Sequence, residues 1–133
     1  MVVDASVALA WAFDLEANEY TDRVLVQAET EGMLVPSLFH LEVGNVLNVA
    51  LKHRRTTEAR VAAFLGDLAR LQVRVDLHTH ERALSDTLML ARAHGLTVYD
   101  AAYLELTLRE GRLLATQDGP LSAAADHLGC RYL

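Results

Sequence analysis

The chain has 133 residues, of which 52% are hydrophobic and 23% charged, and a formal net charge of −6. These totals fit one domain over residues 1–133 with a real core, and they exclude a disordered or fibrous chain. The negative charge excludes a protein that coats nucleic acid through bulk positive charge, but not an enzyme that handles it through metal ions, because bound cations reverse the local field.

The opening "MVVD" reads as a short buried strand stopped by Asp4, and "ASVALAWAF" as a short helix. "NEYTDRVLVQAETEG" has the pattern of a surface helix closed by Gly32. "MLVP" is a second strand, and "SLFHLEVGNVLNVALKHRR" a longer helix with Ser37 as its N-cap and a basic end. "TTEARVAAFLGDLARL" and "HERALSDTLMLARAHG" are amphipathic, and "VRVDL" between them alternates like a strand. "YDAAYLELT" sets Asp100 directly before a helical run. "RLLATQD" is a further apolar run ending in an acid, followed by a helix "PLSAAADHLG" and a last strand "CRYL". Short strands alternating with helices predict an α/β domain with a small parallel sheet of about five strands, well covered by helices.

Trp11, Phe13 and Tyr20 read as packing or partner-contact residues, and Cys130, the single cysteine, as a small core residue that excludes an internal disulfide. The N-terminus lacks the basic start and cleavage site of a signal peptide, and the uncharged stretches are about half of what a membrane span needs. A cytoplasmic protein without a membrane anchor is expected. Lys52 is the only lysine, so 11 of the 12 basic residues are arginines, whose guanidinium groups suit phosphate contacts.

The acids at the strand ends carry the functional argument. Asp4 ends the first strand and Asp118 ends "RLLATQD". In open parallel sheets ligands bind beyond the carboxyl ends of the strands, near the point where strand order reverses. If the first and fourth strands are neighbours, Asp4 and Asp118 share a rim. Asp100 heads the helix leading into that fourth strand, and Glu42 lies in "LFHLEVGNVL", with Asn45 one helical step away on the same face. Taken singly, Asp4, Asp100 and Asp118 can each be a helix N-cap, and Glu42 a residue at a helix margin. Four acids on one rim, with no lysine nearby in sequence, call for a divalent metal.

These stretches also carry a resemblance. "DASV" at 4–7, "EVGN" at 42–45, "YDAAYLELT" at 99–107 and "LATQD" at 114–118 resemble, in order and spacing, the four acidic motifs of PIN-domain ribonucleases, and in particular VapC-type toxins of toxin–antitoxin pairs. The resemblance spans essentially the whole chain and implies a PIN-like three-layer α/β/α fold. It implies that Asp4, Glu42, Asp100 and Asp118 hold Mg2+, with Mn2+ as a substitute. Ser6 and Thr116 match small hydroxyl residues near the metal, and Asn45 a polar partner of the glutamate. It further implies RNA as substrate, a cognate antitoxin protein as partner, and a homodimer.

The chemistry suits that set: magnesium takes oxygen ligands, keeps several waters and is held by one or two carboxylates plus substrate phosphates. No histidine base is needed, and the six histidines form no nucleophile–base motif near the acids; His40, two residues before Glu42, points elsewhere on its helix. Lys52, Arg54 and Arg55 in "KHRR" are candidates for holding the RNA backbone, with favourable placement at a helix C-terminus as the plainer explanation. Two other functions compete: a phosphatase or phosphotransfer domain, and a non-catalytic module that keeps the acidic pocket for regulation. A haloacid-dehalogenase-like enzyme wants a second acid two residues after Asp4, where Ser6 stands. A receiver-like domain wants a lysine after a late strand, and Lys52 is elsewhere. No glycine-rich phosphate loop is present.

Overall fold

The computed structural model describes all residues, Met1–Leu133. The first strand is as short as "MVVD" predicts: β1 is Val2–Val3, and both residues are completely buried. It is followed by α1 (Ala5–Ala12) and α2 (Glu19–Glu31). Asn18 starts α2 with a capping box: its side chain accepts from the backbone N–H groups of Tyr20 and Thr21, and Thr21 Oγ1 accepts from the Asn18 backbone N–H. Gly32 stops α2 at φ 70°, with its N–H bonded to the Ala28 carbonyl, and a Cβ there would meet the Gln72 carbonyl oxygen at 2.7 Å.

Next come β2 (Met33–Val35), α3 (Phe39–Lys52), α4 (Glu58–Arg70) and β3 (Val73–Val75). Ser37 is not the cap of α3. Phe39 N–H turns back to the Pro36 carbonyl, Leu38 takes the cap position without a side-chain bond, and the Ser37 N–H is occupied by the Thr79 hydroxyl. The basic end of α3 closes with Arg54 at φ 55°, the left-handed conformation usually given to glycine, while Arg55 N–H returns to the Ala50 carbonyl.

The stretch expected as one helix at 80–95 is two, α5 (Thr79–Arg82) and α6 (Asp86–His94). Ser85 causes the break: its hydroxyl donates to the Arg82 carbonyl, competing with the next helical turn. Gly95 ends α6 in the left-handed region, as its place after the last periodic residue predicts. Then follow α7 (Val98–Arg109), β4 (Leu114–Ala115) and α8 (Gly119–His127). The last strand, expected at "CRYL", shrinks to a single parallel bridge between Arg131 and Leu114, so the sheet proper has four strands.

That sheet is parallel, in the order β3-β2-β1-β4. Helix α1 packs with α2, α3 and α4 on one side, while α7 packs against β1 and β4, and with α6 and α8, on the other, giving three α/β/α layers. Every residue of α7 from Ala101 to Thr107 is buried, the mark of a helix enclosed on all sides. No helix is long and apolar enough to cross a membrane. Trp11, Phe13 and Tyr20 pack against the core and Cys130 lies within it, as expected.

Candidate active site

The chain runs from β1 outward through β2 and β3, then returns to place β4 on the other side of β1. The strand order therefore reverses between β1 and β4, where a parallel sheet leaves a crevice at its carboxyl ends. Asp4 follows β1 directly, and Asp118 is separated from β4 only by Thr116 and Gln117. Four helices also begin at the acids: Asp4 stands at the N-cap of α1, Glu42 and Asp100 in the first turns of α3 and α7, and Asp118 at the N-cap of α8. Helix N-termini are the favourable end of the backbone dipole for negative charge.

Asp4 is 4% exposed, and its Oδ2 accepts from two hydroxyls, Ser6 Oγ and Thr116 Oγ1, the latter at 2.8 Å. Each hydroxyl in turn accepts a backbone N–H from the loop after β4: Gln117 to Ser6 at 3.1 Å and Asp118 to Thr116 at 3.0 Å. Such chained hydrogen bonds strengthen one another in a buried setting and fix the Asp118 loop onto Asp4. Tyr20 adds a third tie, its hydroxyl accepting from Thr116 N–H and donating to the Tyr132 carbonyl. Asp118 Oδ2 caps α8 by accepting from Leu121 N–H at 2.9 Å, so for this acid the cap reading holds.

For Asp100 it does not. Helix α7 begins two residues earlier, and Thr97 is the cap, its hydroxyl accepting the Asp100 backbone N–H at 3.1 Å. The Asp100 carboxyl is thereby released from capping. Glu42 is half-buried, and its Oε1 accepts from the Tyr103 hydroxyl at 2.6 Å. Tyr103 had no place in the sequence reading, although its position one helical step beyond Asp100 put it on the same face of α7.

The electrostatics tie the four acids together. Burial pushes the Asp4 carboxyl above its ordinary value, the Ser6 and Thr116 hydroxyls draw it back, and the charges of Asp100 and Asp118 push it up further. Burial likewise raises Glu42; the Tyr103 hydroxyl opposes the rise, and Asp4 and Asp100 add to it. Asp100 is raised by burial and by Asp118, against the Thr97 hydroxyl. None of the four takes part in any ion pair with a basic side chain. No three acidic, histidine or cysteine side chains are gathered into a ready-made metal cage. The donors are nevertheless hard oxygens on mutually repelling carboxyls without a cation, which is the chemistry a divalent ion with a partial water shell fits.

Other candidates lie apart. Asn45 is exposed and makes no side-chain hydrogen bond. Lys52, Arg54 and Arg55 are exposed at the far end of α3; at 1.5 Å per residue, Lys52 is about 15 Å along the axis from Glu42. His40 is exposed and packs edge-on against Phe39.

Fold and site together define a three-layer α/β/α protein with an acidic rim, free of ion pairs, at the switch point of a small parallel sheet. The family model described as "PIN domain" matches residues 1–126. Ribonuclease VapC3 of Pyrobaculum aerophilum is 33% identical over 122 residues, covering 92% of each chain. The crystal structure of PAE2754, also from Pyrobaculum aerophilum, superposes with a TM-score of 0.63 at 27% identity, covering 92% of this chain and 82% of that one. The chain belongs to the PIN-domain family.

Proposed function

We propose that this protein is a metal-dependent endoribonuclease that hydrolyses RNA phosphodiester bonds, the toxin of a toxin–antitoxin pair, with 1–133 as one functional domain. The observation that carries the reading is the rim itself: Asp4, Glu42, Asp100 and Asp118 repel one another, have no cation partner, and head four helices at the switch point. The similarity to a protein named as a ribonuclease supports it.

In this reading the four carboxylates hold Mg2+, or Mn2+ in its place. Held there, such an ion would supply positive charge to offset a scissile phosphate and would ease deprotonation of a water to hydroxide near neutral pH. The chain's own part is positional. Ser6 and Thr116 occupy Oδ2 of Asp4 and leave Oδ1 without a hydrogen bond, Leu121 N–H does the same for Asp118, and Tyr103 does it for Glu42. Asp100 stands at the mouth of α7 with its charge uncommitted to a cap. Lys52, Arg54 and Arg55 hold RNA phosphates beyond the cut site, and Asn45 lies between them and Glu42 on the α3 surface.

A set of defined RNAs incubated with the protein and Mg2+ or Mn2+, against an EDTA control, tests the reading. Metal-dependent cleavage is the expected result. Intact RNA throughout, or cleavage that persists in EDTA, overturns it in favour of a phosphotransfer domain or a non-catalytic acidic pocket. A toxin also needs an inhibitor in the same cell, and an antitoxin that lays an apolar helix in a groove and points an arginine at the acids would fit this site. Co-expression with the product of the adjacent gene is expected to relieve growth arrest, and a protein harmless on strong expression overturns the toxin reading.

The homodimer belongs to the same proposal. Leu77, Leu84 and Met89 are 77, 87 and 69% exposed, and a groove of about 580 Å³ between α6 and α7 is lined by Met89, Leu90, Ala93 and Leu108 together with the charged Arg82, Asp86, Glu105 and Arg109. A second copy covers such a surface at least cost, because a two-fold interface uses the same patch twice. Light scattering at micromolar concentration is expected to give twice 14.7 kDa, and a single 14.7 kDa species removes the dimer.

A further inference from the structure

We propose that Tyr103 is a positioning residue for Glu42, its buried hydroxyl holding Oε1 so that Oε2 alone is presented to the acidic rim. The inference rests on reading that rim as a metal site and deepens it. Tyr103 is completely buried in the core formed by α7 and β1. Its hydroxyl has one proton to give, and gives it to Glu42 Oε1 at 2.6 Å, across 61 residues of sequence. A glutamate has three rotatable side-chain bonds, and Glu42 in the first turn of α3 is only half-buried, so nothing in its own helix fixes the carboxyl. A phenol on a fully enclosed ring is a rigid donor, and a short bond to a charged acceptor is among the stronger hydrogen bonds.

The arrangement repeats what the other acids show. Asp4 has Oδ2 taken by Ser6 and Thr116, and Asp118 has Oδ2 taken by Leu121 N–H. Three carboxylates thus each commit one oxygen to the fold and leave the other free of any hydrogen bond. Single-oxygen donors with room for water are what a small octahedral ion requires. Tyr103 lies one helical step beyond Asp100, so α7 carries one acid of the rim and the clamp of another.

Tyr103→Phe deletes the hydroxyl and keeps the ring. The metal-free variant is expected to melt within a few degrees of the wild type. In a Mn2+ titration followed by melting temperature, the midpoint concentration is expected to rise about 10–100-fold, the usual cost of losing a group that orients a metal ligand. At saturating metal, kcat on RNA should fall while KM for RNA stays put. The clamp acts only through Glu42, so adding Tyr103→Phe to Glu42→Gln should weaken metal binding no further than Glu42→Gln alone. A wild-type Mn2+ midpoint in Tyr103→Phe, or an equal loss in the Glu42→Gln background, overturns the proposal. A wild-type chain whose melting ignores Mn2+ overturns the reading of the rim and this inference with it, so the two failures are told apart.

One measurement needs no Tyr103 variant. With 3-fluorotyrosine at all four tyrosines, and the other three assigned by substitution, the Tyr103 fluorine resonance should move on adding Mn2+ and on Glu42→Gln. A Tyr103 resonance indifferent to both contradicts the clamp.

Discussion

Arg109→Met is expected to destabilise the protein by about 3–5 kcal/mol, the usual cost of breaking a buried ion pair from one side. For a chain of this size that lowers the melting temperature by about 10–20 °C. Arg109 sits at the end of α7 and forks onto two buried carboxylates, with a longer contact of 3.4 Å to the exposed Glu110. NH1 and NH2 meet Asp76 at 3.2 and 2.9 Å, and Nε and NH2 meet Glu105 at 2.8 and 3.1 Å. The Asp76 and Glu105 side chains are each 6% exposed, so the guanidinium is the only cation that offsets two buried acids. It also locks α7 to the end of β3, where Thr79 Oγ1 adds a third bond to Asp76 at 2.7 Å.

The sign of the pH dependence follows. Burial pushes Asp76 up, but hydrogen bonds from Arg109 and Thr79 outweigh it and hold the carboxyl below its ordinary value. A depressed folded value contributes stability above the ordinary carboxylate range, and that stability is lost as pH falls through the folded value. In Arg109→Met the order inverts. Without the guanidinium, burial pushes the Asp76 carboxyl up with less to oppose it, so the variant should gain stability in acid and lose it as pH rises toward neutral. Urea midpoints at pH 5 and pH 7.5 measure both chains, and a variant that matches the wild type at pH 7.5 shows the cluster to be dispensable.

The cluster and the rim were not equally legible. Asp4 and Asp118 end short apolar runs, and a parallel α/β pattern alone directs attention to strand ends, so the fold class and the placing of these acids at one edge of the sheet are legible in the sequence. What escaped was long-range pairing. Arg109 meets Asp76 across 33 residues and Tyr103 meets Glu42 across 61, and neither partner announces the other in the sequence. Local signals were also passed over. Thr97 three residues before Asp100 is a capping pattern, and it moves the start of α7 so that the acid lies inside the first turn. Ser85 in the middle of an amphipathic run was a break signal of the same kind. The "CRYL" stretch at the chain end reads as a fifth strand, yet a single bridge beside β4 is all that forms.

Asp100→Asn is expected to reduce RNA cleavage by orders of magnitude and to leave the metal-free protein as stable as the wild type or more so. A plain cap would behave otherwise, since Asn replaces Asp at an N-cap with little change in either property. Here Thr97 already makes the cap bond, and the Asn backbone N–H still donates to it, so the helix start is preserved. What changes is charge. Burial and the charge of Asp118 disfavour an ionised Asp100, and its own charge in turn disfavours ionised Asp4 and Glu42. Removing it relieves Asp4 and Glu42, against the small loss of one favourable charge at the α7 N-terminus. Stability gained at such a place commonly comes with lost function. The same neutral side chain is a poorer ligand, so added Mg2+ should raise the variant's melting temperature less than the wild type's, as expected when binding to the folded state weakens. Cleavage falls more steeply than binding, because charge and position at the scissile phosphate act mainly in the transition state. Asp4→Asn and Asp118→Asn should lose cleavage alike. An Asp100→Asn protein that cuts RNA at the wild-type rate would remove Asp100 from the site and leave it a bystander in the first turn of α7.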